Sequence, residues 1–101
     1  MLSRKLSDVM KRNKRTFYDI YADILTYVSI RPGCRLSYIA RYANLPLDRA
    51  KTILHYLAKA NLISMKDSEG TTLFYVTQKG FEYLELYKRI RILLYPIMFS
   101  K

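Results

Sequence analysis

The chain has one cysteine, one histidine and three glycines in 101 residues, which leaves little room for most enzyme chemistry. Cys34 on its own forms no internal disulfide, and that points to a reducing, cytoplasmic compartment. His55 and Cys34 are too few for a metal centre, which needs a cluster of ligands. No glycine-rich phosphate loop is present. Catalysis, a bound cofactor and a small-molecule substrate therefore find no support. No stretch reaches the ~18 apolar residues of a membrane span. The charged N-terminus lacks the apolar run of a signal peptide. Acid is scarce as well: eight Asp and Glu stand against eighteen Lys and Arg, for a net charge of +10 and a pI near 9.9.

So basic a chain favours an anionic partner, either nucleic acid or an acidic membrane face. The distribution of charge says more than its total. Residues 1–15 carry a net +5, residues 86–101 a net +4, and residues 16–85 only +1. The chain thus divides into a basic N-terminal arm (1–15), a nearly neutral folded unit (16–85) and a basic, apolar C-terminal end (86–101). One domain of this size buries a limited share of its surface, so partners often make up the shortfall. Few Asn and Gln beside many Lys, Arg, Ile and Tyr hint at a heat-adapted source.

Thr16 is placed to cap a helix. After it, Phe17, Ile20, Tyr21, Ile24, Leu25 and Val28 fall on one helical stripe, which Arg31-Pro32-Gly33 ends. LSYIARYA gives a second short helix, with Leu36, Ile39, Ala40 and Ala43 inward. Pro46 cannot continue it but suits the first turn of a third helix, Leu47 to about Ala60, with Ala50, Ile53, Leu54 and Leu57 inward. Asn61 sits where the chain reverses and tolerates the left-handed conformation. LISMK and TLFYVT read as strands about a polar Asp67-Ser68-Glu69-Gly70 gap, a hairpin. Thr77 caps a last helix, TQKGFEYLELYKRIRILLY, which Pro96 ends or kinks.

This order is mainly α with a small β-hairpin, and describes a winged helix-turn-helix with an extended C-terminal helix. The stretches FYDIYADIL, LSYIARYANLPLDRAKTILHYLAKANLI and FYVTQKGFEYLE, the last with Thr77, Gly80 and Leu84 in a Thr-x-x-Gly-x-x-x-Leu pattern, carry a resemblance. Residues 17–94 resemble the winged-helix domain of small archaeal DNA-binding proteins, among them the coiled-coil-dimer chromatin and transcription-regulator proteins of thermoacidophilic archaea. The resemblance implies binding to double-stranded DNA, with a nucleoid-associated place in the cell.

It further implies that the helix from Leu47 to Ala60 lies in the major groove. Leu47, Arg49, Thr52 and His55 are the expected base contacts, with Arg49 suited to bidentate pairing with guanine. Arg35, Arg41, Lys51, Lys59, Lys66 and Lys79 are expected at phosphates, together with Arg12, Lys14 and Arg15 of the arm. An ordinary solvated face is the bland account of the same helix. Asp48 either caps it or accepts from cytosine. The hairpin tip, Asp67-Ser68-Glu69, departs from a DNA-probing wing, which carries Arg or Lys. Most of the ten tyrosines, Tyr21, Tyr27, Tyr42 and Tyr83 among them, read as core or interface filling rather than base-stacking groups.

Phe81 and Leu84 are expected to pack onto the domain. Tyr83, Tyr87, Ile90, Leu94 and Ile97 recur with heptad spacing and suggest a homodimer seam. The alternative is a helix folded back on its own domain. The rival to DNA binding is a protein-interaction module that uses the winged scaffold, its acidic wing and its apolar tail.

Overall fold

Thr16 begins the first helix through a reciprocal cap. Its hydroxyl accepts from Asp19 N at 3.2 Å, and the Asp19 carboxylate accepts from Thr16 N at 2.8 Å. Two of the orphan amide groups of the first turn are thereby satisfied. The computed structural model describes residues 15–94. Among them the order is α1 (Phe17–Ile30), α2 (Leu36–Ala43), α3 (Leu47–Lys59), β1 (Ile63–Ser68), β2 (Thr71–Val76) and α4 (Gln78–Leu93).

The core is where α1, α2 and α3 meet the base of the hairpin. Ile24, Leu25, Val28, Ile39, Leu54 and Leu57 are fully buried there, joined by Ile63 and Phe74 from the strands. Burial of each large side chain contributes roughly 1.5–3 kcal/mol. The α1 stripe departs from expectation at one end: Phe17 is exposed and Ala22 is buried in addition. Phe17 borders an open hollow with Arg49 and Tyr56.

Asn44 and Asn61 both adopt left-handed backbone, with φ of 58° and 66°, and each reverses the chain after a helix. The hairpin is longer and its turn tighter than the polar run predicts. Asp67 and Ser68 belong to β1, paired with Thr72 and Thr71, and only Glu69-Gly70 form the turn. Their φ values of 51° and 81° suit the two-residue turn that matches strand twist. The loop before α2 joins the sheet: Gly33 N donates to Phe74 O and Phe74 N to Cys34 O.

Gly80 fixes the start of α4. A Cβ there would lie 2.3 Å from Leu62 O and 2.6 Å from a Val76 methyl. The Thr77 hydroxyl accepts from Gly80 N at 3.0 Å and donates to Asn61 O. The Thr-x-x-Gly spacing is thus the docking of α4 onto the turn that ends α3.

Candidate nucleic-acid interface

At about 100° per residue, α3 sorts its side chains into four faces. Ala50, Ile53, Leu54 and Leu57 are buried. Opposite them run Asp48, Thr52, His55 and Lys59, all exposed. Leu47 and Lys51 flank this stripe toward the hairpin, and Arg49 and Tyr56 flank it toward α1. Leu47, Lys51 and His55 line an open groove with β1 and β2, about 630 Å³ in volume, whose other wall carries Met65, Asp67 and Thr72.

Arg49 is therefore off the central stripe. It borders a separate hollow beside α1 with Phe17, Tyr18 and Tyr56, and Tyr56 stacks on Tyr21 with centroids 5.8 Å apart. Asp48 acts at the helix start, its carboxylate accepting from Arg49 N at 2.9 Å. The Thr52 hydroxyl donates to Asp48 O at 3.1 Å, one turn back.

The other expected contacts are spread over several faces. Arg35 lines the α3–hairpin groove. Arg35 and Arg41 both hold their guanidinium over the Tyr38 ring, at 5.4 and 5.7 Å. Side chains alternate along β1, so Lys66 points to the face opposite Met65 and Asp67. The groove wall accordingly presents an acid rather than a base, and the Asp67 carboxylate accepts from the Thr72 hydroxyl at 3.0 Å. Lys79 is exposed in the first turn of α4. Arg15 pairs with Asp23 at 2.8 Å, which partly neutralises it and ties residue 15 to α1. Arg12, Lys14 and Ile97 lie outside the described residues.

The groove residues Met65, Thr71 and Thr72 are not legible as site residues in the sequence. The one available signal is strand alternation, which puts Met65 and Asp67 on the same side.

The heptad positions on α4 divide. Tyr83 and Tyr87 face α1 of the same chain: the Tyr83 hydroxyl donates to Tyr18 O at 2.8 Å, and the Tyr87 hydroxyl donates to the Asp19 carboxylate. Burial works to raise the Asp19 carboxyl, but the bonds from Tyr87 and Thr16 and the charge of Arg91 outweigh it and hold it below the ordinary carboxylate range. Burial pushes the Tyr83 hydroxyl well up. Leu84 packs against the core, whereas Phe81, expected to pack there too, is exposed. Among the other apolar side chains left open, Leu86 and Ile90, each 55% exposed, and Leu93, at 78%, form one flank of α4 beside the tyrosines, while Ile92 is exposed on the side away from them. Among the described residues no helix is long and apolar enough to cross a membrane, and no group of His, Cys, Asp and Glu is arranged to hold a metal ion.

A family model described as winged helix-turn-helix matches residues 14–94. A search of curated proteins gives no match. Among solved structures, the chain is similar to Sso10a-2, described as a DNA-binding protein from Sulfolobus solfataricus. The identity is 25% over 80% of this chain and 86% of that one, with a TM-score of 0.67. MepR, a transcription regulator of the Staphylococcus aureus multidrug efflux pump MepA, aligns over 98% of this chain and 80% of its own at 19% identity, with a TM-score of 0.73. Streptococcus pneumoniae FabT, solved in complex with DNA, aligns over 99% and 78% at 19% identity, with a TM-score of 0.65. The last two likenesses are of fold.

Proposed function

The chain belongs to the winged helix-turn-helix family, and from that premise we propose that it binds double-stranded DNA as a homodimeric transcription regulator or chromatin protein. The observation that carries the proposal is the exposed outer stripe of α3, ending in Lys59 and flanked by Arg49 and Lys51, beside a groove open to solvent. The DNA named in the descriptions of Sso10a-2 and FabT supports the same partner. In this reading α3 enters the major groove. Thr52 and His55 meet base edges from the central stripe, Leu47 offers apolar contact, and Arg49 reaches in from the α1 flank. Lys51, Lys59, Arg35 and Arg41 hold phosphates. The acidic wall at Asp67 and the acid at Glu69 keep the wing tip off the phosphates. The second copy packs on the Leu86, Ile90 and Leu93 flank of α4.

The exposed acid of the wing and the open flank of α4 also support the rival, a protein-binding module. Duplex binding across a salt series separates the two. Affinity that falls steeply with salt, through release of counterions, is the expected result. No duplex binding at low salt would overturn the proposal in favour of the protein partner.

A further inference from the structure

A second surface joins arginine to tyrosine, away from the outer stripe of α3. Residues 24–47 contain no Asp or Glu but carry Arg31, Arg35 and Arg41, with Tyr27, Tyr38 and Tyr42 among them. The sequence suggests that Tyr27 and Tyr42 fill the core or an interface. In the fold Tyr27 is half-buried, while Tyr42 is 51% and Tyr38 42% exposed. Tyr42 stacks on Tyr27 with centroids 4.8 Å apart and an angle of 29° between the rings. Tyr38 and Tyr42 are one helical turn apart on α2 and so share a face. Between this face and the sheet lies a hollow of about 650 Å³ whose lining includes Tyr27, Arg31, Pro32, Arg35, Tyr38 and Leu73.

The composition of this surface selects its ligand. A duplex hides the faces of its bases and offers phosphate to its sides, so it needs arginine but gains nothing from tyrosine. Unpaired nucleotides present both groups at once. Their bases stack on aromatic rings or guanidinium planes, and their phosphates take the charge. The Tyr27–Tyr42 pair is already stacked, so its outer ring is held flat at no further ordering cost. The two guanidinium groups over Tyr38 extend the platform and add positive charge beside it. Arg35 lines both this hollow and the α3–hairpin groove, which makes the two surfaces neighbours that share an edge.

We propose that this α2 face binds single-stranded nucleic acid, with bases stacking on Tyr42 and on the guanidinium groups that lie over Tyr38, and with Arg31 and Arg41 drawing the phosphates. Arg41 also serves duplex phosphates in the reading above, but Tyr38 and Tyr42 have no role there, so single-strand binding can fail without duplex binding, and the reverse. The test is fluorescence anisotropy of the full chain with labelled oligothymidine, oligouridine and a mixed-sequence duplex. The double variant Tyr38→Leu, Tyr42→Leu should lose about tenfold or more affinity for the single strands, with duplex affinity within about twofold of the parent. Tyr38→Phe with Tyr42→Phe should retain single-strand binding, since the ring and not the hydroxyl does the stacking. Arg31→Gln with Arg41→Gln, at exposed positions that leave folding intact, should flatten the salt dependence on single strands. A preference between the two homopolymers identifies DNA or RNA as the strand taken. Failure of the parent chain to bind either homopolymer would overturn the inference, as would an unchanged affinity in the leucine variant. Equal losses on single strand and duplex would overturn it too.

Discussion

The helices α1 and α4 are close in length, at 14 and 16 residues, and each begins at a threonine that accepts from a backbone amide three residues on. There the likeness ends. α1 buries Ile20, Ala22, Ile24, Leu25 and Val28, whereas α4 buries Gly80 alone. α1 is held by shape and by removal of apolar surface from water. α4 is held at its first turn by a glycine contact, and farther along by Leu84 against the core and by two tyrosines whose hydroxyls find acceptors on α1. α4 thus leaves most of its large apolar side chains exposed and is joined to its domain by one glycine, one leucine and two tyrosines.

The contrast can be broken at four places. The largest effect is expected in the core. Leu25→Ala, at a site with no solvent exposure, should cost about 2–5 kcal/mol in denaturant unfolding. Ile90→Ser on α4 should leave the chain's own stability within about 0.5 kcal/mol while shifting the mass in sedimentation from dimer to monomer. A dimer that survives this change would remove the α4 flank from the interface. Next in size is Gly80→Ala. The added methyl meets a backbone carbonyl that cannot step aside, and a loss of about 1–3 kcal/mol is expected from overpacking. An unchanged melting curve would mean that α4 is not seated as described.

A smaller loss than at Gly80 is expected at the polar attachment. Tyr87→Phe removes the hydroxyl that donates to Asp19 and should cost about 1 kcal/mol at neutral pH. The carboxyl of Asp19 is held below its ordinary range in the fold. Its contribution is therefore present above the unfolded carboxylate value and is lost as pH falls through the folded value. The gap between parent and variant should close on acidification. A gap constant from neutral pH to strongly acid conditions would show that the hydroxyl matters for packing and not for its bond to the carboxylate.

The same contrast explains what could be read from the sequence. The three helices of the core follow from apolar residues at helical spacing, because burial and periodicity are one signal there. Pro46 and the two left-handed asparagines mark the turns for local steric reasons. The hairpin was legible but its turn was not: Asp67 and Ser68 look like loop residues, and they are strand residues of an exposed edge, where polarity carries no penalty. On α4, heptad spacing cannot decide whether a face meets its own chain or another copy. Tyr83 and Tyr87 turn to α1 because their hydroxyls have acceptors there, at Tyr18 O and Asp19, and an acceptor donated by another helix leaves no mark in the spacing. Arg49 reads as a central residue in a string of outward ones, yet its angular position sets it beside α1. Charge type is legible in a sequence, and the direction in which a charge points needs the neighbouring helix.

The contact at Gly80 has a consequence for distance. It seats the first turn of α4 on the turn that closes α3, so the two helices share one fixed corner. In a dimer joined along α4, that corner converts the direction of one helix into the separation of the two α3 helices. Over 16 residues α4 spans about 24 Å, and a tilt of about 5° at its start moves its far end by roughly 2 Å. The spacing of the two half-sites along a duplex would then be set by a residue that never touches the nucleic acid, and a change in operator spacing could arise without altering any base contact.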